Sequence, residues 1–166
     1  LPGNVVIEQK LTQCINSGQW YSVAYLDIDN FKAYNDVYGF ENGDLIIKLL
    51  AEILKSYIPE DQFIGHIGGD DFVVIIDNHV TDNYFKDIIR QFEQEVLALY
   101  NQTDIQNGFI TAKNRRGEIE RFPLMTLTAV SVNNKTQIFK NVPELSGVLA
   151  SLKTIAKQGN FKYNLQ

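Results

Sequence analysis

Two short acidic segments carry the residues whose types and spacing could do chemistry. The first is Leu26-Asp27-Ile28-Asp29, and the second, about forty positions later, is Gly68-Gly69-Asp70-Asp71. Mg²⁺ prefers oxygen ligands in near-octahedral geometry and is usually completed by water and substrate phosphates. Glycine lets backbone amides approach those phosphates closely, because no Cβ intervenes. Together the two segments favour a metal-dependent phosphoryl or nucleotidyl transfer site.

The same residues also have a purely structural interpretation. Asp27 and Asp29 could simply end a strand, and Gly-Gly-Asp-Asp is the composition of an ordinary turn. His66, just before the second segment, is most simply a strand histidine that makes an ordinary hydrogen bond. The residues by themselves leave both interpretations open.

The spacing of apolar residues predicts the elements that must position these segments. A helix starts at Asn4 as its N-cap and stops at Gly18, and an apolar run at 20–28 predicts a buried strand that surfaces at Asp27 and Asp29. Further along, the pattern predicts a short helical or turn segment at 31–35, a helix at 44–58 capped by Asp44, strands at 63–67 and 72–76, and a helix at 82–100. It ends with a hairpin of 108–113 and 119–132, in which Pro123 indicates an edge strand or bulge, and a helix at 143–157 that stops at Gly159.

This order of elements predicts an α+β fold with a central, mostly antiparallel sheet flanked by helices. It is neither a regular β-α-β alternation nor an all-helical pattern. In such a sheet the two acidic segments, one at a strand end and the other at a hairpin tip, could meet on adjacent strands. Their meeting would make a magnesium site.

Length, charge and cysteine content narrow the class of protein. A chain of 166 residues with 45% hydrophobic content can bury one core, so we expect a single domain over 1–166, cut from a larger multidomain protein because it begins at Leu1. No stretch approaches the roughly 20 apolar residues that cross a bilayer, which predicts a cytoplasmic domain with no membrane contact of its own, although the full-length protein could be membrane-anchored through a missing segment. The single cysteine, Cys14, excludes an internal disulfide. The net charge of −5 disfavours nucleic acid as a partner.

Several linked motifs resemble one known family. The segment from Asp27 to Asp36, Asp-Ile-Asp-Asn-Phe-Lys-Ala-Tyr-Asn-Asp, is followed by Tyr38-Gly39 and Gly43-Asp44, and then by Gly68-Gly69-Asp70-Asp71-Phe72. This series closely resembles the GGDEF domain of diguanylate cyclases. The resemblance runs from the opening Leu1-Pro2-Gly3-Asn4 to Ala156-Lys157-Gln158-Gly159-Asn160, so it spans essentially the whole chain.

The resemblance implies a fold, a reaction and a set of partners. The fold would be the palm-like fold of nucleotidyl cyclases and polymerases. The reaction would be the condensation of two GTP molecules into cyclic di-GMP with release of pyrophosphate, with Mg²⁺ as cofactor and Mn²⁺ as its substitute. Each domain would bind one GTP, so catalysis would need a homodimer. A sensor or phosphodiesterase domain would be attached in the full-length protein.

Carried over position by position, the resemblance also implies the site residues. Metal would be held by Asp27, the backbone carbonyl of Ile28 and Asp70. Asp70 and Asp71 would be catalytic. Nucleotide would be bound by Asn35 and Asp44 at the guanine and by Gly68, Gly69, the backbone at Phe31, and Lys157 at the phosphates. For Lys157 a solvated lysine in a last helical turn is an equally good interpretation.

The sequence departs from the family pattern at three places. The fourth signature position is normally Glu and is here Asp71, which is shorter by one methylene. An Arg-x-x-Asp inhibitory site upstream of the signature is replaced by Pro59-Glu60-Asp61-Gln62, and an arginine after Gly159 is replaced by Asn160. Asp71 therefore separates two hypotheses, an active cyclase and an impaired GGDEF domain that binds GTP and regulates or dimerises an attached domain. A third is a pure interaction scaffold without GTP affinity.

Basic residues near position 115 receive a structural interpretation first. Lys113, Arg115, Arg116 and Arg121 alternate with Glu118 and Glu120, a pattern typical of an exposed, soluble hairpin.

Overall fold

Fourteen helical and strand segments follow one another along the part of the chain, residues 1–158, that the computed structural model describes. The helices are α1 (Asn4–Ser17), α2 (Phe31–Tyr38), α3 (Phe40–Tyr57), α4 (Lys86–Glu95), α5 (Gln102–Asn107) and α6 (Val142–Lys157), with 3₁₀ turns at Asp82–Phe85 and Val96–Leu99. The strands are β1 (Ser22–Asp29), β2 (Phe63–Gly68), β3 (Asp71–Ile76), β4 (Phe109–Lys113), β5 (Ile119–Pro123) and β6 (Thr126–Asn133). Within this part of the chain, no helix has the length and apolarity that crossing a bilayer requires.

The central sheet has the strand order β2-β3-β1-β6, and every neighbouring pair is antiparallel. β1 lies between β3 and β6, which explains why its first seven residues are almost all buried. Its register sets Asp27 opposite Asp71 on one side and opposite Thr128 on the other. The predicted α+β fold with a mostly antiparallel sheet is confirmed.

Helices cover both faces of this sheet, and the period of two along a strand decides which side chains each face receives. Leu26 and Phe72 point to the face covered by α2, α3 and α4, where they pack with Leu50. Val23 and Val73 point to the opposite face, where α1 and α6 pack. By the same alternation, the odd-numbered acids Asp27, Asp29 and Asp71 belong to the α6 face.

The segment before α1 is joined to β2. The backbone N–H of His66 donates to the carbonyl of Pro2 at 2.9 Å, and α1 packs over Gly65, where Ile7 fills the space that a side chain would need. The opening turn is therefore hydrogen-bonded to the β2 edge of the sheet, two residues from Gly68.

Two predicted boundaries were wrong. The helix predicted from Asp44 begins at Phe40, because Gly39, with φ 88°, separates it from α2; Asp44 therefore lies inside α3 and does not cap it. Asn4 is the first residue of α1, and Gly3 takes the cap position. The expected stop at Gly159 and the substitution at Asn160 lie outside the described residues.

Two longer predicted elements are divided in the structure. The segment 119–132 is not one strand, because the chain leaves β5 at Pro123 and starts β6 at Thr126. β5 pairs with β4 in a separate two-stranded sheet, whereas β6 joins the central sheet. The segment 82–100 contains α4 between two 3₁₀ turns, and the short helix α5 was not predicted.

Tyr34 offers a test of the core beneath α2. Its side chain is fully buried, its hydroxyl donates to the carbonyl of Leu99 at 2.6 Å, and burial raises its pKa to about 12. The unfolded chain releases this proton near pH 10. The raised pKa therefore contributes to the free energy of unfolding in full below pH 10, and this contribution is lost as the pH rises to 12. We expect Tyr34→Phe to cost about 1 kcal/mol at pH 8 and to flatten the loss of stability between pH 10 and 12.

Urea unfolding at pH 8, 10 and 11 measures this effect. Tyr57→Phe, at a tyrosine that is 42% exposed, is the matched control and should follow the wild-type pH profile. Equal pH dependence in Tyr34→Phe and wild type would show that the Tyr34 hydroxyl does not carry the effect.

Candidate functional site

Three carboxylates converge where β1 ends and β3 begins. One oxygen each of Asp27, Asp70 and Asp71 lies within 4.8 Å of the other two. The β1–β3 register brings Asp27 and Asp71 face to face, and the backbone N–H of Ile28 donates to the carbonyl of Asp70 at 3.2 Å. Strand pairing therefore assembles the predicted acidic cluster, which we call the acid triad.

The turn that carries Asp70 is the predicted Gly-Gly-Asp-Asp turn. Gly68 and Gly69 are exposed and have φ values of 135° and 53°, which side chains rarely tolerate. The Nε2 of His66 donates to the carbonyl of Gly69 at 2.8 Å, an ordinary hydrogen bond that closes the turn. The glycines are thus required by the backbone conformation that places Asp70 beside β1.

The triad concentrates negative charge in a partly dehydrated place. Burial, followed by the charges of Asp27 and Asp71, raises the pKa of Asp70 to about 7. Burial and the charge of Asp27 also raise the pKa of Asp71. A cation bound among these oxygens would remove the repulsion, and three hard oxygen ligands suit Mg²⁺ or Mn²⁺. The residues therefore fit the divalent metal that the sequence predicts.

Asp29 does not join the triad. Its two carboxylate oxygens accept hydrogen bonds from the hydroxyls of Thr126 at 2.7 Å and Thr128 at 2.9 Å. These bonds hold Asp29 against β6. Of the four carboxylates in the two acidic segments, three converge.

Two lysines of α6 lie over the acids. Lys157 forms ion pairs with Asp27 and, at 3.2 Å, with Asp29. Burial alone would lower the pKa of Lys157, but the hydrogen bond and charge of Asp27, together with Asp29, raise it. Lys153, which the sequence analysis did not select, lies 3.6 Å from Asp71 and 3.8 Å from Asp27. Lys157 is thus an exposed residue in the last turn of α6 that is also ion-paired with two of the acids.

Asn35 and Gly43 form a second small site between α2 and α3. The Oδ1 atom of Asn35 is buried and accepts no hydrogen bond from residues 1–158. A Cβ on Gly43 would overlap this atom, so the glycine makes room for it. An unpaired buried acceptor is costly and calls for a donor from a ligand. Asp44 follows Gly43 and is exposed.

A cavity of about 820 Å³ opens beside the triad. Six of the predicted site residues line it, namely Asp27, Ile28, Phe31, Asp70, Asp71 and Lys157, whereas Asn35, Asp44, Gly68 and Gly69 lie outside it. The sequence analysis missed Lys32, which also lines the cavity. Lys113, Arg115 and Arg116, which were first interpreted as solubilising an exposed hairpin, line the cavity as well, together with Glu118 and Glu120. A cavity that is lined by both a carboxylate triad and several basic side chains suits a metal–polyphosphate complex.

Comparisons with known proteins agree on one family. The family model described as "Diguanylate cyclase, GGDEF domain" matches residues 4–116. Among curated proteins, the bifunctional diguanylate cyclase/cyclic di-GMP phosphodiesterase MucR of Pseudomonas aeruginosa is 37% identical over 71 residues, which is 43% of this chain and 10% of that protein. A diguanylate cyclase of Vibrio cholerae is 40% identical over 60 residues, which is 36% of this chain and 19% of that protein. The chain thus matches only a small part of the length of these relatives.

Solved structures resemble the whole described fold. The GGDEF domain of DgcB from Caulobacter crescentus, solved in complex with c-di-GMP, matches with a TM-score of 0.67 at 19% identity and covers 96% of this chain and 86% of that one. The active GGEEF domain of a diguanylate cyclase from Vibrio cholerae matches with a TM-score of 0.67 at 20% identity and covers 95% of this chain and 92% of that one.

Proposed function

The chain belongs to the GGDEF domain family, and on that premise we propose that it condenses two molecules of GTP into cyclic di-GMP, with release of pyrophosphate. The observation that carries the proposal is the acid triad in a cavity that is also lined by five basic side chains, those of Lys32, Lys113, Arg115, Arg116 and Lys157. Mg²⁺ is the proposed cofactor, with Mn²⁺ as its substitute. Because one domain binds one GTP, the working unit is a homodimer with two facing sites.

In this mechanism each part of the site has one task. Asp27, Asp70 and the carbonyl of Ile28 hold the metal, which when bound supplies charge neutralisation and polarisation of the α-phosphoryl group. Lys157 donates to phosphate oxygens from the α6 side. The turn amides at Gly68 and Gly69 and the α2 backbone at Phe31 take the remaining phosphate oxygens.

Guanine selection falls to Asn35 and Asp44. The unpaired Oδ1 of Asn35 accepts from an N–H on the guanine edge, and the exposed Asp44 carboxylate accepts from a second one. Adenine presents a different order of donors and acceptors, so binding it would leave buried groups unpaired.

A regulatory function is the second candidate, and Asp71 favours it. The Asp71 carboxylate is one methylene shorter than the family's Glu and is already within 3.6 Å of Lys153. In this version the domain binds GTP without efficient turnover and acts on an attached sensor or phosphodiesterase domain. In both versions the domain is cytoplasmic, with GTP as its ligand.

Mass spectrometry distinguishes the cyclase function from the regulatory function. The domain, fused to a dimerising coiled coil, is incubated with GTP and Mg²⁺, and the dimer is verified before cyclic di-GMP is measured. Product establishes a cyclase and shows that aspartate suffices at position 71. Absence of product in the verified dimer supports the regulatory function instead.

The α2–α3 joint allows a separate test of nucleotide selection. We expect Gly43→Ala to weaken GTP binding by about 10- to 100-fold, because the new methyl group displaces Asn35 and removes its hydrogen bond to guanine. Isothermal titration calorimetry with Mg·GTP and Mg·ATP measures the affinity and the preference between the two nucleotides.

Gly147→Ala is the matched control, since it is also a helical glycine but a Cβ there meets nothing within 4 Å. Its GTP affinity should equal that of the wild type. If the wild type shows no magnesium-dependent preference for GTP over ATP, the domain is a scaffold, and both the cyclase function and the GTP-binding regulatory function are wrong.

A further inference from the structure

Lys153 lies over one edge of the acid triad and belongs to none of the motifs that point to the site. Its ammonium group is 3.6 Å from Asp71 Oδ1 and 3.8 Å from Asp27 Oδ2, and its side chain is 29% exposed. Lys157, one helical turn later, contacts Asp27 and Asp29. The two lysines therefore share Asp27 and differ in their second partner, so that only Lys153 contacts both Asp27 and Asp71, the pair that we call the Asp27–Asp71 edge of the triad.

The position of Lys153 follows from the packing of α6. Leu145 and Leu149 are fully buried against the sheet, and a spacing of four continues their stripe to Lys153 and Lys157. The hydroxyl of Tyr25, on β1, donates to Ser146 at 3.2 Å and ties α6 to the same face. A lysine on the buried stripe of a helix needs an anionic partner.

Strand register supplies those partners at one place. Asp27 and Asp71 are direct cross-strand neighbours, and both side chains belong to the α6 face. An ammonium group that is fixed near both oxygens acts on them as a metal ion would, because it reduces the same repulsion between the two carboxylates. A divalent ion that uses this edge must share it with the ammonium charge or displace it.

We propose that Lys153 competes with the divalent metal for the Asp27–Asp71 edge of the triad and so sets the metal concentration that this domain needs. Lys157 differs from it, because its second partner is Asp29, outside the triad. The proposal deepens the proposed function, on which it rests for the identity of the metal site. It gives this chain a feature that neither the Asp27 motif nor the Gly-Gly-Asp-Asp-Phe signature contains.

Mn²⁺ binding to the nucleotide-free chain, followed by electron paramagnetic resonance, tests the proposal. We expect Lys153→Met to bind Mn²⁺ about tenfold more tightly than the wild type, which is the size of effect that one nearby charge has on an ionic equilibrium at a partly buried site. The charge-retaining Lys153→Arg should bind Mn²⁺ as the wild type does. Lys153→Gln gives a second neutral variant if the methionine variant folds poorly.

Lys135→Met is the matched control. Lys135 follows the end of β6 at which Asn133 pairs with Ser22, whereas the acids lie at the opposite end, where Thr126 pairs with Asp29. This variant removes the same charge from the chain and should leave the Mn²⁺ affinity unchanged.

Thermal unfolding with and without Mn²⁺ gives a second readout. A competing lysine predicts that Mn²⁺ stabilises Lys153→Met more than it stabilises the wild type. If the neutral variants lose stability but bind Mn²⁺ with wild-type affinity, Lys153 has only a structural role and the proposal is wrong.

The proposal and the proposed function fail in different ways. Tighter Mn²⁺ binding in the neutral variants, without any cyclic di-GMP from the wild-type dimer, would contradict the proposed cyclase function but support the competition by Lys153. Product from the wild-type dimer together with unchanged Mn²⁺ affinity in the variants would support the cyclase function and contradict the competition by Lys153.

Discussion

Asp70→Asn is expected to reduce cyclic di-GMP formation by on the order of 1,000-fold, while the domain stays folded. Asp70 contributes one of the three converging oxygens, and an amide keeps the shape of the carboxyl group but not its charge. The metal then loses a charged ligand at the centre of the site. Product measured by mass spectrometry in the coiled-coil fusion gives the ratio to the wild type.

The same substitution should raise thermal stability at pH 8 in the presence of EDTA. Burial and the neighbouring acids raise the pKa of Asp70 to about 7, so at pH 8 the folded domain must hold an ionised group in an unfavourable place. Asparagine removes that charge. A loss of activity together with a gain in stability distinguishes a damaged site from a damaged fold.

Asp77→Asn is the matched control for this pair of measurements. Asp77 is exposed and follows the far end of β3, next to Ile76, which pairs with Ser22. We expect it to retain wild-type turnover. Turnover within about tenfold of the wild type in Asp70→Asn would be incompatible with a metal-holding role for Asp70.

Asp71→Glu is expected to increase turnover by about 100-fold, the second large effect. A carboxylate displaced by about 1 Å from its working position can cost this much, and glutamate restores the missing methylene. The added length also moves the carboxylate away from its present position, 3.6 Å from Lys153. Initial rates of cyclic di-GMP formation in the verified dimer measure the change.

Asp77→Glu lengthens an aspartate at the other end of the same strand and should leave the rate unchanged. An unchanged rate in Asp71→Glu as well would mean that shortening at this position is not what limits the domain. The departure at position 71 would then carry no weight for either functional candidate.

Short-range patterns in the sequence account for the central part of the site. The apolar run that ends at Asp27 and the glycine-rich turn before β3 are local signals, and they were enough to predict that the two acidic segments could meet on adjacent strands. They did not show that Asp29 stays outside the triad. The order of helices and strands predicted the antiparallel α+β fold. These features depend on periodicity and turn chemistry, which neighbouring residues determine.

Features that depend on distant contacts could not be predicted in the same way. The space that Gly43 leaves for Asn35 exists only after α2 and α3 have packed. The misplaced start of α3 is a local error instead, because Asp44 resembles a helix cap but Gly39 sets the boundary through its own backbone conformation. Lys153 had one usable signal, the spacing of four from Leu149, but a lysine at that spacing predicts a buried partner only when the opposing acids are known.

The hydrogen bond between His66 and Pro2 has a mechanical consequence for any fused partner. The chain ahead of α1 is joined to β2 at 2.9 Å, and β2 leads directly into the turn that carries Asp70. A torque applied at Leu1 therefore has a direct backbone connection to β2 and to the turn that carries Asp70. A helical or proline-rich connector is semi-rigid and would pass that torque on, whereas a glycine- and serine-rich connector is flexible and would not. The choice of connector would therefore decide how strongly a fused partner acts on the turn that carries Asp70.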